Sequence, residues 1–147
     1  MNTMKDEANL EEKLRKEVEA VHNFIAAWFR GDVAHDQKLF NERLADRFAN
    51  GMLNIQPSGN PLSKEQLLTS IYDGHGSNKA FTIAIRDFKL LALSENRGLA
   101  VASYIEDQRN AKNSIPPDNL RISSVVFRVG EDETKTVWIH LHETAHN

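Results

Sequence analysis

The hydrophobic pattern of the chain changes its period once, near the middle. In the first part, apolar side chains recur every three or four positions at Leu10, Leu14, Val18, Val21, Ile25 and Trp28. This spacing predicts one long amphipathic helix, which Gly31 ends. After Lys79 apolar and polar residues alternate instead, as they do along half-buried strands. The pattern therefore predicts helices first and a sheet afterwards.

Turn-forming residues divide the rest of the chain into shorter elements. A second helix is predicted from Asp36 to Asp46, and a strand from Phe48 to Ile55 in which Gly51 is a candidate bulge. The capping-box sequence that starts at Ser63 predicts a third helix, which ends near Gly74. The strands predicted after it are Phe81 to Leu93, Leu99 to Gln108, Leu120 to Gly130 and Thr136 to Thr144.

A helical first half followed by a meander of strands is an α+β plan. We expect the helices to pack on one face of a strongly curved, mainly antiparallel sheet and to form a cone with an internal pocket. A chain of 147 residues has the size of one domain. Residues 1–147 are therefore predicted to form a single domain, with residues 1–8 as a flexible tail.

The composition excludes several classes of function. The chain has no cysteine, so disulfides, thiolate catalysis and cysteine-bound metals are absent. A net charge of -3 without a basic stripe argues against nucleic-acid binding. The first residues lack the apolar core of a leader, and no apolar run approaches membrane-spanning length. We expect a cytoplasmic protein that has no membrane contact and no cofactor; a leader removed from the chain would be compatible with the same sequence.

The last predicted strand carries the most distinctive side chains. Strict alternation would put Trp138, His140 and His142 on one face and the apolar residues between them on the other. Imidazoles and an indole on an inward face would donate and accept hydrogen bonds to a ligand or a carboxylate. Histidines two apart can also share a metal ion, but the chain ends soon after and supplies no further ligands, so no metal site is expected. Packing of these histidines without any ligand stays an alternative.

Other polar residues share the parity that can place them on one sheet face. These ligand-binding candidates are Arg86, Tyr104 and Arg128, with Glu106 as a catalytic candidate beside His140 and His142. Strand register is not readable from one sequence, and a solvated strand position is the commoner one for residues of these types. Trp28 and His22 on the first helix are candidates for the roof of the cavity. Residue type alone adds Asp87, Asp107 and Tyr72 as general acids or bases.

With these residues in place, the chain resembles the nuclear-transport-factor-2-like (NTF2-like) superfamily, a cystatin-like cone fold shared by SnoaL-like polyketide cyclases and ketosteroid isomerases. The resemblance is carried by the helix Glu17-Val18-Glu19-Ala20-Val21 and by the ending Ile139-His140-Leu141-His142-Glu143-Thr144. That ending is similar to the last strand of the association domain of calcium/calmodulin-dependent protein kinase II and of small uncharacterised bacterial relatives. The resemblance implies a homodimer, or a ring of dimers, formed through the outer face of the sheet. The apolar residues expected on that face are Val137, Ile139 and Leu141 with Val125, Phe127 and Val129.

Three functions fit these observations. The first is binding of a compact ligand, anionic or carbonyl-bearing, at Trp138, His140 and His142. The second is a cofactor-free lyase or isomerase in which a pocket histidine removes a proton beside a carbonyl. The third is an association module without chemistry. The sequence favours binding over catalysis, and it names no substrate.

Overall fold

The computed structural model describes residues 3–131 and 135–146, with the side chains of residues 3–5 left out. The helices are α1 (Thr3–Arg30), α2 (Gln37–Arg43) and α3 (Lys64–Asp73), with a 3-10 turn at Ala45–Arg47. The strands are β1 (Phe48–Ile55), β2 (Pro61–Ser63), β3 (Thr82–Leu93), β4 (Leu99–Arg109), β5 (Asn119–Arg128) and β6 (Val137–His146). Within these residues no helix is both long and apolar enough to cross a membrane.

The six strands form one mixed sheet in the order β2-β1-β6-β5-β4-β3. Only β1 and β6 run parallel to each other, and every other neighbouring pair is antiparallel. The helices precede most of the sheet and pack against it, so the predicted α+β class is confirmed. The sequence did not predict the three-residue strand β2, because it begins at Pro61 within the turn-forming residues 57–61.

Local signals place the helix ends as predicted, with one exception. Ser63 accepts a hydrogen bond from the backbone N–H of Gln66, and the Gln66 side chain returns one to the N–H of Ser63, which is the expected capping box. After α1, Gly31 has a φ of 80° and approaches Gly76 so closely that a Cβ there would lie 3.1 Å from the Gly76 Cα. The exception is α2, which ends at Arg43 instead of Asp46 and is followed by the 3-10 turn, while α1 is described from Thr3.

The core lies between the apolar stripe of α1 and the inner face of β4, β5 and β6. Leu14, Val18, Val21 and Trp28 are buried on the helix side. The facing sheet positions are Ala100, Ala102, Val125, Phe127 and Trp138, each with no exposed surface. Small alanines on β4 leave room for the helix, while the large side chains on β5 and β6 fill the space beside it.

One extra residue in β6 changes the side-chain alternation of that strand. Val126 pairs with His140 and Phe127 pairs with Trp138, so Ile139 has no partner on β5 and forms a β-bulge. Trp138 and Leu141 consequently share the buried face. The prediction that Trp138, His140 and His142 lie on one face is therefore wrong, because a slip of one residue reverses every later side chain.

The reversal also changes the outer face of the sheet. Val125, Phe127 and Leu141 were expected on that face, but all three lie in the core. The outer positions beside the bulge are instead Val126, His140 and His142. In β1, a second irregularity between Phe48 and Leu53 contains Gly51 at a φ of 80°, which confirms the predicted bulge.

Candidate functional site

A cluster of buried polar side chains crosses the space between α1 and the sheet. Asn54 of β1, His22 of α1, Glu106 of β4 and Glu143 of β6 are 1%, 5%, 3% and 8% exposed, respectively. Each of these residues comes from a different element, and each occupies an inward-facing position. Ionisable groups buried this deeply require partners, since an uncompensated charge inside a protein is costly. We call these four residues the interior polar cluster.

His22 and Glu106 form the ionic part of the interior polar cluster. The His22 Nε2 atom lies 2.9 Å from the Glu106 Oε1 atom, an ion-pair distance without the alignment of a hydrogen bond. The other ring nitrogen, Nδ1, lies 2.8 Å from the Val18 carbonyl oxygen, to which it can donate. Burial by itself would lower the pKa of His22, but the negative charge of Glu106 outweighs burial and raises it.

The two buried carboxyls have pKa values shifted in opposite directions. Burial would raise the pKa of Glu106, yet the positive charge of His22 outweighs burial and lowers it overall. The pKa of Glu143 is raised, first by burial and then by the negative charge of Glu106. Asn54 donates to Glu143 Oε2 at 3.2 Å and Arg121 donates to Oε1 at 3.3 Å. Glu106 is thus the carboxylate of the pair, and Glu143 is the group that keeps its proton to higher pH.

Two buried hydroxyl groups lie beside the cluster and face each other. Tyr104 and Ser123 face each other across β4 and β5 and are 1% and 0% exposed. Neither the Tyr104 Oη atom nor the Ser123 Oγ atom makes a well-formed hydrogen bond. Burial, together with the charges of Glu106 and Glu143, raises the pKa of Tyr104 far above its ordinary value. The phenol is therefore a protonated donor, and an unsatisfied buried donor is costly by about 1–3 kcal/mol.

A cavity of about 910 Å³ opens where β4 ends and β5 begins. We call it the mouth cavity. Gln108 and Arg121 line it, and both reach inward: Gln108 donates to Glu106 Oε2, and Arg121 contacts Glu143. Apolar side chains also line the cavity, at Phe29, Phe81 and Ala111. Charged side chains line it at Asp107, Arg109, Lys112 and Asp118. Solvent at the mouth is thus connected to the buried carboxyls through two side chains.

Several residues predicted for the site do lie on the buried side of the sheet. Tyr104 and Glu106 belong to the interior described above. Trp138 is fully buried, and its Nε1–H donates to Glu17 Oε2 at 3.0 Å. Arg47 donates to the same carboxylate, at 2.8 Å and 2.6 Å, so this contact joins α1 to β6 and to the 3-10 turn.

Trp28 lies in a separate aromatic cluster away from the interior polar cluster. Its ring centroid is 4.8 Å from that of Phe40 and 4.7 Å from that of His75. Its Nε1–H donates to the Tyr72 carbonyl oxygen at 3.2 Å. Trp28 is thus a core residue, packed between the end of α1, the helix α2 and the end of α3.

The remaining predicted residues lie on the outer side of the sheet. The ring centroids of His140 and His142 are 6.4 Å apart on that face. Arg128 is exposed, and Arg86 is paired with Asp107 at 2.6 Å. The expectation that these four side chains share one inward face is wrong, because the bulge in β6 and the observed strand pairing turn them outward.

The general acids and bases suggested by residue type alone also lie elsewhere. Asp107 is held between Arg109 and Arg86; hydrogen bonds from Arg109 and then from Arg86 outweigh burial and lower its pKa. Asp87 is exposed at an irregularity of β3, with a φ of 52°. Tyr72 packs against Trp28 in the aromatic cluster. None of the three reaches the interior polar cluster.

Sequence reasoning missed Asn54, Gln108, Arg121, Ser123 and Glu143, and it treated His22 only as a roof residue. Glu143 had no usable signal, because its inward position depends on the bulge at Ile139. Gln108 and Arg121 had none, since their convergence depends on the pairing of β4 with β5. Within the described residues, no group of three or more His, Asp or Glu side chains is arranged to hold a metal ion.

Comparison with solved structures identifies the fold. An NTF2-like protein of unknown function from Pseudomonas aeruginosa is 28% identical, with a TM-score of 0.78 over 92% of this chain and 99% of that chain. A cystatin-like protein from Caulobacter vibrioides is 16% identical, with a TM-score of 0.64 over 92% and 89% of the two chains. The association domain of CaMKII from C. elegans is 12% identical, with a TM-score of 0.60 over 96% of each chain. These likenesses confirm the NTF2-like, cystatin-like fold. No protein-family model matches the sequence, and no curated protein matches it.

The interior polar cluster predicts how stability depends on pH. The raised pKa of His22 contributes stability that is complete below its ordinary value of 6.5 and is lost as pH rises through the folded value. The raised pKa of Glu143 acts in the same direction, because above its ordinary value of 4.5 only the unfolded chain ionises freely. Glu106 acts oppositely, and its contribution is lost as pH falls below 4.5. We therefore expect the free energy of unfolding in urea to fall between about pH 5 and pH 8.

Two variants test the origin of this pH dependence. Both Glu143→Gln and the double variant His22→Gln/Glu106→Gln should reduce the fall, because each removes a group whose folded pKa is raised and leaves no buried carboxylate without its partner. The matched control is Glu131→Gln, since the Glu131 side chain is 92% exposed and should leave the slope unchanged. Equal slopes for the parent and for both test variants would contradict the assignment.

Proposed function

We propose that this chain, whose fold is NTF2-like, is a small-molecule-binding domain that takes a compact anionic or carbonyl-bearing ligand in its mouth cavity. The observation that carries the proposal is the position of Arg121, which lines the cavity while it contacts the buried carboxyl of Glu143. A volume of about 910 Å³ lies within the usual range for ligand sites. In this proposal Arg121 and Gln108 contact the ligand, in place of His140 and His142.

The charges around the mouth support an anionic ligand. The Arg109 guanidinium forms salt bridges with Asp107 at 2.9 Å and with Asp118 at 3.8 Å. Among the described carboxyls Arg121 contacts Glu143, at 3.3 Å, and the pKa of Glu143 is raised, first by burial. An incoming carboxylate at the mouth can pair with the Arg121 guanidinium beside this contact. Phe29, Phe81 and Ala111 supply apolar contact for the body of the ligand.

The binding proposal is tested with small carboxylates. We expect benzoate to raise the thermal midpoint of the protein and the neutral isostere benzamide to raise it much less, because only benzoate can pair with Arg121. A ligand at 100 times its Kd stabilises the fold by about 2.7 kcal/mol. Arg121→Gln should remove most of the benzoate effect. The matched control Arg86→Gln, at a guanidinium on the outer face that is 58% exposed, should retain it.

Two outcomes would contradict the binding proposal. If Arg121→Gln keeps the full benzoate effect while His140→Ala and His142→Ala remove it, the ligand contacts the outer face of β6 and the mouth cavity is not the site. If no small carboxylate stabilises the parent protein, the anionic ligand class is wrong.

Cofactor-free proton transfer is the second candidate function, favoured by the opposed pKa shifts of Glu106 and Glu143. Pairs of titratable groups with such shifts are typical of general acid–base catalysis. Glu106, oriented by His22, would be the base, and the protonated Tyr104 phenol would donate a hydrogen bond to a carbonyl oxygen. The base would then be neither His140 nor His142, because both are on the outer face. Gln108 separates Glu106 from the mouth cavity, so a rotation of its side chain would have to open the path.

Self-association through the outer face of the sheet is compatible with either activity. The CaMKII relative is an association domain, which favours the same property here. On this chain Leu53, Leu99 and Ile122 are 37%, 46% and 42% exposed. Ile122 lies near the centre of the outer face, between Ile105 of β4 and Thr144 of β6. Apolar side chains on an open sheet face are common at protein interfaces.

Sedimentation velocity tests the association. We expect the parent protein to sediment as a dimer or a larger ring at micromolar concentration, and Ile122→Glu to shift it towards the monomer by placing a charge in the contact. Ile115→Glu is the matched control, because Ile115 is fully exposed on the loop before β5. A monomeric parent at micromolar concentration would contradict self-association.

A further inference from the structure

A second cavity lies at the opposite end of the molecule from the mouth cavity. It encloses about 590 Å³ between the N-terminal half of α1, the β3–β4 turn, and residues 129–131 and Thr136 beside the ends of β5 and β6. The strand β4 runs from one end to the other, since Gly98 just before it lines this cavity and Arg109 at its close lines the mouth. We call this second space the end cavity.

The floor of the end cavity is apolar. Leu14 is 2% exposed and belongs to the core, and the half-buried Leu10 and Val129 pack against that core. All three line the cavity. Ala20 also lines it from the exposed side of α1. An apolar ligand body placed here would remove these side chains from water without displacing a polar group.

The rim of the end cavity is positively charged. Lys13 and Lys16 lie one turn apart on α1, and Arg97 faces the cavity from the β3–β4 turn. Within the described residues, none of the three has a carboxylate oxygen within 4.0 Å of its nitrogen atoms. Arg97 is half-buried with a φ of 60°, in the left-handed region more often occupied by Gly or Asn.

Within the described part of the chain, two carboxylates line the end cavity, and both are already engaged. Glu17 accepts hydrogen bonds from Arg47 and from Trp138, so its charge is compensated inside the protein. Glu131 pairs with Lys135 at 3.8 Å. Among the described residues, the rim therefore presents more positive than negative charge.

We propose that the end cavity is a second binding site, for an amphipathic carboxylate with an acyl or aryl body. The body contacts Leu10, Leu14 and Val129, and the carboxylate lies at the rim between Lys13 and Arg97. This arrangement matches a long apolar group with a single charged end, whereas the mouth cavity suits a compact anion. The site is separate from the proposed function and does not depend on it.

Isothermal titration of the full chain with decanoate below its micellar concentration tests this site. Decyltrimethylammonium has the same chain length and the opposite charge, so it should bind much more weakly. Ala20→Phe should abolish decanoate binding, because the new ring fills the cavity from an exposed helix position that the core does not need. Lys13→Gln combined with Arg97→Asn should weaken binding about 3- to 10-fold. Asparagine suits the left-handed backbone at position 97.

Variants of the mouth cavity separate this site from the proposed function. Arg121→Gln and Lys112→Gln should leave decanoate binding unchanged. Circular dichroism and urea unfolding establish that each variant is folded. Unchanged binding in folded Ala20→Phe, loss of binding in Arg121→Gln, equal binding of the cationic detergent or no binding of decanoate to the parent would each overturn the proposal.

Discussion

One extra residue in β6, Ile139, decides which side chains of the last strand face the inside of the fold. Before it, Trp138 packs in the core; after it, Leu141 and Glu143 take the inward positions and His142 turns outward. Without the bulge, two imidazoles would replace a leucine and a carboxyl at the centre of the molecule. The interior polar cluster exists because the bulge brings Glu143 to the same side of the sheet as Glu106.

Two buried carboxyls near each other do not ionise equally, and the surroundings decide which one carries the charge. His22 supplies a positive partner to Glu106, so that carboxyl is the ionised one. Glu143 has Asn54 and a longer contact to Arg121, which leaves its pKa raised. The resulting order of proton affinities is fixed by α1 and four strands together. The two carboxyls lie directly behind Gln108 and Arg121, the side chains that line the mouth cavity.

Features that depend on neighbouring residues in the sequence were predictable. The apolar stripe of α1, the capping box at Ser63 and the hairpin strands are set by local periodicity and turn chemistry, and the structure has them within a few residues of the expected bounds. The fold class followed from their order. Tyr104 and Glu106 were candidates for an inward face, and they do lie on the buried face, since β4 alternates from Leu99 to Glu106.

Features that depend on pairing between strands were not predictable. A bulge such as that at Ile139 leaves no clear mark on the sequence, so His140 and His142 were given the positions that Leu141 and Glu143 occupy. Gln108 and Arg121 meet only because β4 and β5 pair in one register. His22 was recognisable as a helix residue beside the apolar stripe, but its partner Glu106 lies 84 positions later and joins it only in the folded chain.

The central claim is that Glu143 is buried beside Glu106 and that the pKa values of the two carboxyls are shifted in opposite directions. Carbon-13 NMR of the side-chain carboxyls, assigned with Glu106→Gln and Glu143→Gln and followed through a pH titration, measures both groups in the folded protein. The structure predicts that Glu143 titrates above its ordinary value of 4.5 and Glu106 below it. An ordinary titration of Glu143, as expected for an exposed strand residue, would contradict the inward placement on which the site depends.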